Sequence, residues 1–181
     1  YYRNAPVPSW SRHLGLLRMN LIGKRLPHRW LILLIFVCFL AVTVALQWRS
    51  GVYRSERGNY ADEAAHFVTG LMIRDYLFSG FTASPIQFAK EFYIHYPKVA
   101  FGMWPPLLHL ALGVWMIPAA HSQSAALLFI ALITALLAAQ LYRGLLPIFG
   151  FLHSAATGLL FLSMPLVQDG ASAVMADMLV A

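Results

Sequence analysis

Asp62 and Glu63 stand side by side, and adjacent carboxylates suit general-base chemistry, one taking a proton while its neighbour holds a metal or a hydroxyl in place. The same two residues also fit the first turn of any helix, where acids meet the positive end of the dipole. Glu91 and His95 are four apart, so on a helix they share a face and supply two ligands of a possible divalent metal site. Arg74 and Lys98 are the candidate grips for a phosphate, arginine through its bidentate fork and lysine as a point charge. Their plainer roles are a helix-end charge and a snorkelling interface side chain. His66 follows Asp62 by one turn and can hydrogen-bond it, its plainer role being a solvated side chain. His109 falls inside an apolar helix and reads as a satisfied polar group, although an ionisable residue in such a place is a functional candidate by default. The chain carries no phosphate-binding glycine loop, no Gly-x-Ser-x-Gly and no Cys-x-x-Cys, so nucleotide hydrolysis, serine hydrolysis and thiol redox chemistry lack support.

The elements that must position these groups belong to a membrane. Hydrophobic residues make up 60% of the 181 and charged residues 11%, against about 45–50% and about 25% in soluble domains. A globule of this size cannot hide so much apolar surface. One cysteine, Cys38, excludes a disulfide scaffold and reads as a small packing residue. The net charge is +6, and Arg3, Arg12, Arg18, Lys24, Arg25 and Arg29 all precede the first apolar run, in a stretch without any acid. That is the positive-inside signature of a cytoplasmic arm. No aromatic-basic platform accompanies the charges, so nucleic acid is not the expected partner.

The predicted architecture is all-α and polytopic, with two amphipathic surface helices in a large first external loop. Residues 1–29 form the basic arm, and Trp30–Trp48 is an uncharged stretch that as a helix spans about 28 Å, close to the roughly 30 Å hydrocarbon core. Residues 49–104 form the external loop. Within it, Asn59 can cap a helix with Asp62 and Glu63 in its first turn, Ala65, Val68, Met72 and Tyr76 on one face, and Gly80 as its stop. Ser84-Pro85 announces a second helix that ends before Pro97. Both are too polar to span and are expected at the membrane surface. Residues 105–181 hold three further apolar helices, Pro105–Pro118, Ser124–Leu141 and Phe149–Val167, and the start of another element. The first is short for a crossing. Arg143, the only Lys or Arg after Lys98, belongs inside by the charge rule, so Ser124–Leu141 runs inward, Phe149–Val167 runs outward, and Pro105–Pro118 is re-entrant or incomplete. The apolar run Met178–Ala181 carries no stop signal, and the chain reads as the N-terminal fragment of a longer protein, inactive by itself.

Asp62-Glu63 in the first external loop, followed by Tyr96-Pro97 and by Pro105-Pro106-Leu107 at the start of the next helix, resembles the polytopic lipid-dependent glycosyltransferases of the GT-C class. Among them the bacterial members similar to protein O-mannosyltransferases and lipid A aminoarabinose transferases look nearest. The resemblance covers Trp30 to Ala181. It implies transfer of a sugar from a polyprenyl-phosphate carrier to a lipid, glycan or protein acceptor on the outer face of the cytoplasmic membrane, commonly with inversion at the anomeric carbon. Asp62 then matches the loop acid that acts as base or orients the acceptor, and Glu63 its partner. Asp177 looks like the second acid, which follows an apolar helix ending in Ser163-Met164-Pro165. The aminoarabinose transferases have Lys directly before Pro-Pro, where this chain has Trp104. Two rivals remain: a transporter or channel subunit with Asp62, Asp169 and Asp177 along an ion path, and a non-catalytic membrane adaptor with a binding loop.

Overall fold

A computed structural model describes residues 28–55, 60, 62–100 and 102–175. The basic residues before His28, Glu56, Asn59 and Asp177 lie outside the described residues. Among those described there is no strand, and six helices follow in order: α1 (His28–Ser50), α2 (Glu63–Phe78), α3 (Pro85–His95), α4 (Leu107–Trp115), α5 (Gln123–Ser163) and α6 (Pro165–Ala171). Two of them, α1 and α5, are long and apolar enough to cross a membrane.

α1 has 23 residues and so a length of about 35 Å. Its buried positions are Ile35, Phe39, Thr43 and Gln47, a stripe of every fourth residue. Apolar residues also cover its other sides: Trp30, Leu33, Leu34, Val37 and Trp48 are all exposed, and so is Cys38, which corrects the expectation of a packing residue. A helix apolar all round with one buried stripe is matched to a non-aqueous surrounding. The same holds for α5, where Leu136, Ile148, Phe149, Leu152 and Leu160 are exposed.

α5 is one element of 41 residues with a break in it. Pro147 removes a backbone donor, and Gly150 has φ 70° and ψ 180°, a conformation essentially reserved for glycine. At that point the chain turns back. Ile130 and Val167 fall in one buried cluster, with Phe161, Ile133 and Leu137 packed against it, and the Tyr142 ring meets Phe151 edge-on at 6.2 Å. A straight helix would hold residues 130 and 161 about 46 Å apart. The limbs 123–149 and 151–163 are therefore an antiparallel hairpin.

α1 lies in the groove of that hairpin. Ile35 and Phe39 share a cluster with Ala135, Ala138 and Tyr142 of the first limb and Leu162 of the second. At the other end Gln47 ties the bundle together: its Nε2 donates to the carbonyls of Leu127 (3.1 Å) and Ala171 (2.6 Å), and its Oε1 accepts from the Tyr53 hydroxyl at 2.6 Å. Burial pushes the Tyr53 phenol upward, which keeps it a donor. The bundle thus has a Gly150 end, near which Arg143 is exposed, and a Gln47 end, where α2, α4 and α6 gather.

α4, with nine residues, is about 13 Å long and cannot cross a bilayer alone. It lies beside the first turns of α5, joined there by the Trp115 Nε1 bond to the carbonyl of Ala125 at 2.8 Å. α3 begins as the sequence indicates: Ser84 accepts from the Gln87 amide and Pro85 occupies the first helical position. Only Ala89 of α3 is buried, while Ile86, Tyr93 and Ile94 are exposed. α2 departs from the expected single-faced surface helix. Glu63, Ala65, His66, Phe67, Thr69, Gly70 and Met72 are all buried, because α2 packs against α4 on one side and against Val99, Ala100 and Trp104 on another.

Candidate functional site

The first turns of α2 organise the site. Asp62 occupies the N-cap with a nearly helical backbone, φ −87° and ψ −16°, and its side chain makes no capping bond. Its carbonyl accepts from the His66 amide at 2.9 Å, which leaves the carboxylate projecting from an exposed residue. Glu63 is its opposite, only 4% exposed, with Oε1 accepting from the Val174 amide at 3.4 Å. One acid is presented to solvent while its neighbour anchors the segment that follows α6.

The residues after α3 run back along α2. The Thr69 hydroxyl accepts from the Ala100 amide at 3.2 Å, Val99 packs with Met72 and Ala89, and the Trp104 ring lies 4.4 Å from that of His66. The chain then reverses at Pro105-Pro106, and α4 runs alongside α2 in the same direction. His109 meets His66, with Nε2 to Nδ1 at 2.9 Å, and a turn later Gly113 meets Gly70. A Cβ on Gly113 would lie 3.0 Å from the Gly70 carbonyl oxygen, and one on Gly70 would meet Leu112 and Met116. Side chains at these two positions would hold the helices apart. Burial first, and then the charge of His66, push His109 down to about 4, so its imidazole is neutral at physiological pH.

The result is that Trp104, some forty residues further on in sequence, lies against His66 in the first turns of α2, one turn after Asp62. Tyr60, Asp169, Ser172 and Ala173 line a cavity of about 300 Å³, and Asp169 and Ser172 also line a smaller one of about 90 Å³ that reaches Gln47. Along the far half of α2 a larger cavity of about 680 Å³ is walled by apolar side chains of α2, α3 and α4, among them Met72, Ile86 and Leu110, and by Phe81 of the loop between α2 and α3, with Lys90 also lining it.

No family model, no curated protein and no solved structure matches the chain.

The other candidates distribute as follows. Arg74 is held by its neighbour, with Nη2 to Asp75 Oδ1 at 2.6 Å, so a phosphate would have to compete with that carboxylate. Lys98 is exposed on the strand of chain that returns along α2. Glu91 and His95 are exposed on α3, yet the histidine Nδ1 faces the Glu91 backbone carbonyl at 3.1 Å and the carboxylate accepts from Gln87. Among the described residues no group of three His, Cys, Asp or Glu is arranged to hold a metal ion. Asp177 lies outside the described residues; Val174, three positions before it, is the residue Glu63 holds.

Sequence reasoning placed His66 in solvent, and the structure buries it to 2% exposure. The available signal was the shared spacing: His66 precedes Gly70 by four residues, and His109 precedes Gly113 by four.

Proposed function

We propose that the chain is part of a membrane glycosyltransferase that moves a sugar from a polyprenyl-phosphate carrier to an acceptor hydroxyl outside the cytoplasmic membrane. The observation that carries this reading is the packing of the Trp104 ring, which leads into Pro105-Pro106, against His66, one turn after the exposed Asp62 at the start of α2. In this reading α1, the first limb of α5, and the second limb with α6 each cross the bilayer. Arg29 and Arg143, towards the Gly150 end, lie on the cytoplasmic side by the positive-inside rule. The Gln47 end, with Asp62, then faces outward. Gln47 bonding to both Leu127 and Ala171 supports this orientation, since the start of the hairpin and the end of α6 belong to the same side as the end of α1.

Asp62 takes the proton of the acceptor hydroxyl as its oxygen bonds to the anomeric carbon, and the bond from that carbon to the phosphate oxygen breaks. Polyprenyl phosphate leaves with the bonding pair. A positioned base of this kind contributes on the order of 10²–10⁴ in rate. Glu63 keeps the segment after α6 in place, Asp177 is the second acid of the resemblance, and Lys98 and Arg74 are the cations offered to the phosphate. Glu91 and His95 stay weak candidates for a divalent metal. The apolar cavity between α2, α3 and α4 suits an isoprenoid chain.

The test uses the full-length protein in lipid nanodiscs with polyprenyl-phosphate-linked pentoses and hexoses, following release of polyprenyl phosphate. Asp62→Asn is expected to abolish release with no loss of expression. Near-normal release by that variant, or purified protein carrying no isoprenoid lipid by mass spectrometry, would overturn the reading.

A further inference from the structure

Where α1, the first limb of α5 and α6 meet, the bundle holds polar side chains that the transferase reading does not use. Thr43 and Gln47 of α1 and Thr134 of α5 are buried, at 3%, 2% and 0% exposure. With Ser50, Asp169 and Ser172 they line the cavity of about 90 Å³. Asp169 and Ser172 also line the cavity of about 300 Å³ that includes Tyr60, so they belong to the wall the two cavities share.

The hydrogen bonds decide what the inner cavity can take. A hydroxyl has one proton and two lone pairs. Thr43 gives its proton to the Phe39 carbonyl at 2.9 Å, Thr134 to that of Ile130 at 2.9 Å and Ser50 to that of Gln47 at 2.8 Å. The Gln47 amide nitrogen is spent on the carbonyls of Leu127 and Ala171. What these residues have left is oxygen lone pairs. The donors still uncommitted are the Ser172 hydroxyl and one N–H of Gln168, whose amide also bonds the Ser163 carbonyl. Among the described residues no cation pairs with the Asp169 carboxylate.

We propose that the inner cavity binds one sodium ion, with Asp169 supplying the charge and the hydroxyl oxygens of Thr43, Ser50 and Thr134 supplying ligands, directly or through water. The site rests on the packing of α1, α5 and α6 and not on the transferase reading, so either can fail without the other.

Charge, size and setting each favour such an ion. Asp169 is the one ionisable residue lining the cavity, so a single positive charge balances it and a divalent ion would leave an excess. Oxygen ligands without sulfur or imidazole suit a hard cation. The volume is that of about three waters, room for a small ion with part of its hydration. Gln47 and Ser50 stand in the last turn of α1, whose carbonyl end carries partial negative charge. Across the cavity the second limb gives way to α6 at Met164, where ψ is 131°, between the lining residues Leu162 and Val167. Interrupted helices of this kind present their ends to coupling ions in membrane proteins. Water alone serves less well: it can donate to the acceptors, but its own lone pairs meet few donors and the carboxylate stays uncompensated. Arg49 and Arg54 are exposed, Arg54 over the Trp48 ring, and neither lines the cavity.

The experiment follows binding of radioactive sodium to the full chain in phosphatidylcholine nanodiscs, with ionic strength held constant by N-methyl-D-glucamine chloride. Saturable binding of one ion per chain is expected, and sodium chloride at about ten times its Kd should raise the unfolding midpoint by about 3–6 °C. Asp169→Asn and Thr134→Val keep the shapes of their side chains. Each should weaken sodium binding at least tenfold while leaving the sodium-free midpoint near that of the wild type. No saturable binding by the wild type, the result a cavity filled by water alone would give, overturns the proposal. So does binding undiminished in either variant.

Discussion

Substituting Gly158 by alanine tests whether the second limb of α5 really folds back onto α1. A Cβ at that position would lie 2.9 Å from Cε2 and 3.1 Å from Cε1 of Phe39, and closer still to Cζ. The ring is 2% exposed and is confined by Ala135 and Ala138 of the first limb and Leu162 of the second, so it has little room to swing. Overpacking of this kind costs about 1–3 kcal/mol. Against it stands the higher helix propensity of alanine, worth about 0.5–1 kcal/mol at a helix interior. The clash is the larger effect, and the expected net loss is about 1–2 kcal/mol, or a fall in Tm of roughly 2–8 °C for a chain of this length. Trimming the ring in Phe39→Leu should cost about 1–2 kcal/mol by itself and should relieve most of the clash, giving a coupling of about 1 kcal/mol or more in a double-mutant cycle. The assay is thermal unfolding in nanodiscs, with steric trapping for the free energies. A Gly158→Ala protein at least as stable as the wild type, or a penalty indifferent to Phe39→Leu, would show that the two helices do not touch there.

Further outcomes follow from the same geometry. Gly150→Ala forces a side chain into φ 70°, ψ 180° and should cost about 1–3 kcal/mol; disulfide cross-linking between cysteines placed at 137 and 161, efficient in the wild-type background, should decline in this variant. His109 is held at about 4 in the folded chain and returns to 6.5 on unfolding, so the unfolded state binds more protons between those values. The stability it contributes is therefore complete above pH 6.5 and is lost as pH falls towards 4, by roughly 3 kcal/mol at most. Stability measured from pH 7.5 to 4 should decline in the wild type and decline less in His109→Gln. Replacing Gln47 by leucine leaves the Tyr53 hydroxyl and the Ala171 carbonyl short of a partner, and a loss of about 1–3 kcal/mol is expected; a variant of wild-type stability would deny Gln47 its tying role.

The local devices were readable because each depends on a few neighbouring residues. Ser84-Pro85 states where α3 begins, whatever surrounds it, since a hydroxyl acceptor and a fixed φ act within one turn. The run from Trp30 to Trp48 announces a long apolar helix by length alone, and α1 exceeds it by only a turn's fraction at each end. Pro147 and Gly150 were in plain view, yet two apolar segments joined through them could have been separate helices at any angle, and the antiparallel hairpin depends on the contacts of Phe161 with residues far behind it.

The all-helical character and the apolar surface of α1 and α5 are determined by composition, because no arrangement of so few charges could make them water-facing. What only the tertiary structure decided is which of two adjacent acids is free. Asp62 and Glu63 have the same charge and nearly the same chemistry, and a helix turns them about 100° apart. That rotation leaves one in solvent and carries the other to Val174, a partner from beyond α6 whose nearness no stretch of sequence around residue 63 can express. The two histidines obey the same logic: each is an unremarked polar residue in its own helix, and they become a pair only where Gly70 and Gly113 let the two backbones approach.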